Sequence, residues 1–309
     1  MIPVGHFQER PWHCLSFDIE EHFQVAAFDS PARRRQWEVL DSRVERNTER
    51  ILDLLEEHGL KATMFILGWV GERHPRLLRR IVEAGHEIAS HGYAHELITA
   101  QTGAQFREDI RRAKAVLEDA TGVPVLGYRA PTFSITRETM WALPILVEEG
   151  YRYDSSIFPV VHDHYGIPGA NPSPHLLSTS SGALWEVPPS TCKVGWMRVP
   201  VAGGGYFRIF PYWLFRRLLK RVEADREVLV MYFHPWEFDA DQPRMAGPLL
   251  SRFRHYCNLK KTQGRFLQLL RDFRFGPIRE VLPVIARLYT AASPDEQTNV
   301  FCLSSAGSS

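Results

Sequence analysis

The feature that most constrains this chain is the alternation of strand and helix signals through its first two thirds. His13 to Ile19 is a short apolar run ending in acids, the pattern of a buried strand with chemistry at its C-terminal end. Ala62 to Leu67, Glu87 to Ser90, Val123 to Tyr128, Leu184 to Val187 and Val228 to Phe233 read as further strands. Asn47 to His58, Pro75 to Ala84, Ala104 to Ala120, Arg137 to Glu149 and Tyr212 to Glu223 read as helices, with Gly59, Gly85 and Gly150 as stops. Strands alternating with helices of about 10–15 residues imply parallel β/α units, an α/β chain. Asp18, His91, Arg129 and His234 each fall at or just after a strand end. In a β/α barrel that is the face where sites are built, so their convergence predicts a single site.

The rest of the chain is organised differently. Residues 155–211 are rich in Pro, Gly and Ser and read as loops and short strands over the barrel mouth. Within them Gly203-Gly204-Gly205-Tyr206-Phe207 either lets backbone approach a ligand or forms a plain turn. After Asp239 the pattern is helical, Leu249 to Phe273 and then Ile278 to Tyr289. From Ala291 the chain is small and polar, the composition of a disordered tail. The expected division is a catalytic domain over 1–240, a helical C-terminal extension over 241–290 and a tail over 291–309.

Composition excludes several classes. Lys+Arg 37 against Asp+Glu 36 leaves a net charge of +1, so no bulk field recruits nucleic acid or an anionic membrane. Arg33-Arg34-Arg35, Arg79-Arg80 and Arg111-Arg112 alternate with acids or apolar residues and read as solvated helix faces. No stretch approaches the ~20 apolar residues of a membrane span, and the opening residues carry no apolar leader run. Cys14, Cys192, Cys257 and Cys302 are far apart and form no C-x-x-C pair. That argues for a reducing compartment, and a cytoplasmic protein is expected.

The chemistry concentrates in Ser90-His91-Gly92-Tyr93-Ala94-His95. His91 and His95 are four residues apart, about one helical turn, so both imidazoles can point the same way toward a divalent metal such as zinc. Alone, such a pair is a weak signal, more often the polar face of a helix or a satisfied histidine. A third ligand and a base are still needed, and Leu15-Ser16-Phe17-Asp18-Ile19-Glu20-Glu21-His22 is the nearest supplier.

Ser16-Phe17-Asp18, His91-Gly92-Tyr93-Ala94-His95, Arg129-Ala130-Pro131 and Tyr232-Phe233-His234, in this order, resemble the polysaccharide deacetylase family, carbohydrate esterase family four, over roughly residues 10–240. Ser16–Phe23, Arg129–Ser134, Gly203–Phe207, His234-Pro235-Trp236-Glu237 and the C-terminal extension resemble the branch associated with exosortase-linked exopolysaccharide gene clusters. The resemblance implies a deformed (β/α) barrel of about seven strands and a metal-dependent N-deacetylase acting on an N-acetylated glycan. It implies Asp18 as general base, Arg129 as the partner that keeps Asp18 ionised and His234 as general acid, with His91 and His95 as ligands of a divalent metal ion, zinc being expected. Pro131 would shape an oxyanion turn, and Asp154 would orient a catalytic histidine, bind substrate or form a turn. Phe133, Tyr206, Trp236 and Trp185 are candidates for stacking on sugar rings or for the core.

One position departs from the family's pattern. Where the family has a second aspartate as metal ligand, this chain has Ile19, which cannot ligate. Glu20 lies two residues after Asp18 and on a strand would share its face, which makes it the expected third ligand ahead of Glu21 and His22. Two other functions compete: a metal-free hydrolase of cyclic amides (ureides), and a non-catalytic carbohydrate-binding protein in the same pathway. A closed pocket favours the first, and glycan binding without acetate release favours the second. Expected partners are the glycan and an exopolysaccharide biosynthesis complex, with no nucleic acid.

Overall fold

The computed structural model describes residues 13–162, 165–225 and 227–292. The opening segment and residues 293–309, most of the expected tail, lie outside the described residues.

The strands are β1 (His13–Ile19), β2 (Thr63–Ile66), β3 (Glu87–Ser90), β4 (Gly127–Tyr128), β5 (Tyr153–Asp154), β6 (His175–Thr179), β7 (Gly182–Glu186), β8 (Thr191–Val194), β9 (Met197–Pro200), β10 (Val230–Phe233) and β11 (Phe275–Gly276). The helices are α1 (Pro31–Arg34), α2 (Val44–Glu57), α3 (Gly68–Arg73), α4 (Pro75–Glu83), α5 (Gly103–Thr121), α6 (Ala142–Glu148), α7 (Gly204–Ile209), α8 (Tyr212–Ala224), α9 (Leu249–Tyr256), α10 (Leu259–Asp272) and α11 (Ile278–Ala292).

The main sheet runs β10-β1-β2-β3-β4-β5-β7-β6. Every neighbouring pair from β10 to β7 is parallel, and only the β6–β7 hairpin is antiparallel. This is the deformed (β/α) barrel, seven parallel strands with helices outside and a helical C-terminal region. Between β7 and β10 the wall is irregular. Ser190 accepts and donates hydrogen bonds with Val230, and Gly203 bridges to Tyr232. Gly203 thus lets the chain pass close to a strand: a Cβ there would lie 1.9 Å from the Tyr232 carbonyl oxygen.

Strand periodicity sorts β1 into two faces. Leu15, Phe17 and Ile19 join the large core between sheet and helices, whereas Cys14 belongs to the cluster inside the barrel. The barrel's lower end is closed by α11, whose Ile278, Val281, Leu282 and Ile285 pack on Cys14, Phe65 and Val230. Buried Glu87 accepts the Arg279 N–H at 3.0 Å, a carboxylate at a helix N-terminus.

Three expected elements differ. Arg137–Glu149 is a 3-10 turn at Arg137–Thr139 followed by α6. Leu249–Phe273 breaks between α9 and α10, where Asn258 adopts φ +54°. The His91–His95 segment is not helical: Gly92 has φ +75° and His95 φ +52°. Arg34 is also more than a solvated helix arginine, because it donates to the carbonyls of Ala94 (2.7 Å) and His95 (3.0 Å).

Candidate active site

β1 delivers Asp18 on its last turn of pleat and Glu20 one residue beyond its end. β3 delivers His91, β4 delivers Arg129 and β10 delivers His234, each immediately after its strand. The strands stop at the same level because their register aligns Ile19 with Ile66, Ile66 with Ser90, Ser90 with Tyr128 and Phe17 with Phe233. Five chemically reactive side chains from widely separated parts of the sequence thus share one end of the barrel.

Glu20, His91 and His95 offer ligand atoms that all lie within 4.8 Å of one another, and all three residues are buried. Glu20 Oε2 is 2.9 Å from His95 Nε2 and 3.8 Å from His91 Nε2. The His91 Nδ1–H donates to the Arg129 carbonyl at 2.8 Å, which turns the Nε2 lone pair toward Glu20. Burial works against charge on Glu20, but His95, His234 and His91 outweigh it and hold the carboxyl down at about 2. Two imidazole nitrogens and an ionised carboxylate with a fixed tautomer fit a zinc-type catalytic ion, which takes three protein ligands and leaves a position open. Glu21 is occupied elsewhere: its carboxylate accepts the backbone N–H groups of Arg43 and Val44 at the start of α2. His22 Nδ1 lies 3.6 Å from Glu21.

The loop carrying the histidines is held from behind. Asp109 of α5 accepts the N–H groups of Tyr93 (2.8 Å) and Ala94 (3.3 Å). A Cβ on Gly92 would meet Asp109 Oδ2 at 2.8 Å, so this turn needs glycine on both conformational and steric grounds.

On one side of the three ligand residues is Asp18. Fully buried Arg129 donates to Asp18 Oδ1 at 2.7 Å, to Ser16 Oγ at 2.9 Å and to Ser155 Oγ at 2.8 Å. On the other side His234 places Nε2 3.8 Å from both Asp18 Oδ2 and Glu20 Oε1. Its Nδ1 meets Glu237 Oε1 at 2.8 Å, and Glu237 in turn accepts from Arg208 at 2.8 Å. Burial opposes charge on His234, but the Glu237 hydrogen bond and the charges of Glu20, Glu237 and Asp18 raise it to about 9. Of these residues His234 is the most exposed, at 17 %.

The remaining expected residues have other settings. Trp236 is buried; it donates Nε1–H to Glu20 Oε1 at 3.1 Å and stacks between His234 and His255. Phe133 is buried against Phe158 and Tyr232, Trp185 packs on the barrel cluster, and half-buried Tyr206 packs beside Phe210 on α7. Pro131 opens a 3-10 turn in which Thr132 and Phe133 take φ near +55°. The Phe133 and Ser134 amides are bonded within that turn, to Ala130 and Pro131. Asp154 is fully buried and accepts from Ser156 Oγ at 2.5 Å. Burial and the charge of the neighbouring Asp154 push Glu186 well above the carboxylate range. Sequence reasoning assigned no site role to Glu237, Arg208 or Asp109 and read Arg34 as a solvated helix arginine. Glu237 three residues after His234 was the one signal available, since that spacing lets a carboxylate reach back to an imidazole at the start of a turn.

Comparison with known proteins supports this site's setting. Residues 31–153 match the polysaccharide deacetylase family, and residues 155–283 match a domain of unknown function (DUF3473). The peptidoglycan deacetylase of Helicobacter pylori is 33% identical over 108 residues, 35% of this chain and 36% of that protein. The peptidoglycan deacetylase-like protein FGM2 of Gibberella zeae is 30% identical over 141 residues, 45% of this chain and 41% of that protein. The chain thus spans about two fifths or less of the length of these relatives. Among solved structures, a putative polysaccharide deacetylase from Mycobacterium smegmatis superposes with a TM-score of 0.58 at 21% identity, covering 92% of this chain and 94% of that one. The Puue allantoinase superposes with a TM-score of 0.56 at 18% identity, covering 91% and 90%. These two share the fold. The polysaccharide deacetylase match thus covers residues 31–153, which carry His91, His95 and Arg129, and the match to the domain of unknown function follows it.

Proposed function

We propose that the chain is a metal-dependent N-deacetylase that hydrolyses acetamido groups of a glycan. The observation that carries this reading is the buried Glu20–His91–His95 cluster flanked by the Asp18–Arg129 pair and by His234. Glu20, His91 and His95 would hold the cation. Such an ion supplies Lewis acidity, polarising a carbonyl and making water acidic enough to ionise near neutral pH.

The protein's own residues account for the proton movements. Amide hydrolysis forms a C–O bond from water, breaks the C–N bond and needs a proton on the departing nitrogen. Asp18, oriented by the Arg129 hydrogen bond at 2.7 Å, takes the proton from water. His234, cationic below about pH 9, delivers a proton from Nε2 to the leaving amine, while Glu237 fixes the ring through Nδ1. The two groups face one space from opposite sides, which suits a base and an acid acting in sequence.

The relatives' names, both peptidoglycan deacetylases or likenesses of one, support an N-acetylated glycan as the substrate class. Exopolysaccharide biosynthesis is the finer assignment, supported by the motif resemblance of Ser16–Phe23 and His234–Glu237. Cytoplasmic location is supported by the free, separated cysteines Cys14, Cys192 and Cys257. Acetate release from a panel of N-acetylated glycans tests the reading. Wild type should release acetate, a chelator should abolish release and zinc should restore it. Asp18→Asn should lower turnover by about 10²–10⁴-fold. Chelator-insensitive turnover, or turnover only of cyclic ureides, would overturn it.

A further inference from the structure

The net charge of +1 conceals a strong local asymmetry. From Gln242 to Arg271, 30 residues, the chain has seven arginines and lysines and no aspartate or glutamate. This segment forms α9, the turn after it and nearly all of α10. Arg252, Arg254, Lys260 and Lys261 are exposed and make no ion pair among the described residues.

The same segment displays apolar side chains. Leu249 is 80% exposed, Leu250 60% and Phe253 56%. On a helix advancing about 100° per residue these three occupy an arc of roughly 100°, with Arg252 just outside one edge and Arg254 just outside the other. The opposite side of α9 is anchored: His255 stacks on Trp236 at 4.1 Å, and Arg208 donates to the His255 carbonyl at 2.7 Å. α9 is therefore held rigidly beside the active site with its apolar arc facing out.

We infer that α9 docks on an anionic phospholipid surface. Leucine and phenylalanine flanked by arginines match the boundary between acyl chains and phosphates, where the apolar arc inserts and the guanidinium groups reach headgroups. A second copy of the chain fits less well, because Arg252 and Arg254 at the edges of the arc would meet their own like charges. A soluble polyanion accounts for the arginines and leaves three exposed apolar side chains without a partner. The docking holds whether or not the enzyme is a deacetylase, and it would bring the active-site face close to a membrane.

Vesicle co-sedimentation of the full chain tests this, using equimolar phosphatidylglycerol and phosphatidylcholine against phosphatidylcholine alone. Wild type should sediment with the anionic vesicles and remain in solution with the neutral ones. Arg252→Gln with Arg254→Gln should weaken binding by roughly 30-fold, about tenfold or less for each cation removed. Leu249→Ser with Phe253→Ser should weaken it at least about tenfold, with an unchanged melting temperature showing intact folding. Three results would overturn the inference: no binding to anionic vesicles, equal binding to neutral ones, or full binding by the serine variant. Conversion of a wild-type dimer to monomer by the serine variant, without vesicle binding, would assign the arc to self-association instead.

Discussion

At the scale of the residue, Ile19 and Glu20 show how one step along a strand changes a side chain's chemistry. Ile19 points into the apolar layer between sheet and helices, where a carboxylate would have no partner. Glu20, on the other face, meets His95 at 2.9 Å. Trp236 then has a function other than a sugar platform: its Nε1–H is the donor that fixes Glu20 Oε1. Groups that orient ligands in this way typically matter by about 10–100-fold in metal affinity. Trp236→Phe keeps the aromatic ring between His234 and His255 and removes only the donor. We expect its zinc affinity to fall within that range by chelator competition, with turnover recovered at saturating zinc. An unchanged affinity would mean that the Trp236–Glu20 hydrogen bond does not position a ligand.

At the scale of the element, the C-terminal helices serve the barrel at both ends. α9 supports the active-site end through His255 and Arg208, which holds Glu237 and so the ring of His234. α11 closes the other end, with Leu282 only 2% exposed among barrel side chains. Leu282→Ala should cost about 2–5 kcal/mol, the range for a buried leucine truncated in a close-packed core. Urea unfolding measures it. A loss under about 1 kcal/mol would show that α11 covers the barrel loosely. β11, which precedes α11, pairs with β1 at His13 and Cys14 and so leads α11 to this end.

At the scale of the whole molecule, buried neutral histidines set the response to acid. His86 Nδ1 accepts the Ala62 N–H, and burial, helped by Lys61 and Arg279, lowers its pKa to about 4. Burial, helped by Arg208, lowers His255 to about 3. Unfolded histidine titrates near ~6.5, so below that pH the unfolded chain binds more protons and stability falls. For His86 the contribution is present above about pH 6.5 and gone below about pH 4, on the order of 3 kcal/mol. His234, raised to about 9, acts with the opposite sign: its contribution is complete below about 6.5 and is lost as pH rises through 9. Unfolding free energies at pH 7 and pH 5 should differ less in His86→Gln, whose amide oxygen can still accept the Ala62 N–H. Equal differences in variant and wild type would remove His86 as a source of acid sensitivity.

The sequence by itself determined the α/β class, the parallel order of the barrel and the strand ends on which reactive residues fall, because those follow from hydrophobic period and local stops. It also placed Glu20 on the face of Asp18, since a strand alternates strictly. The shape of the His91–His95 loop, the burial of Trp236 and the chain from Arg208 through Glu237 to His234 were decided only by tertiary structure. Asp109 lies 14 residues beyond His95, and Arg208 lies 26 residues before His234. No local pattern encodes contacts at such separations; they exist because folding closes the barrel and buries polar groups that must then find partners.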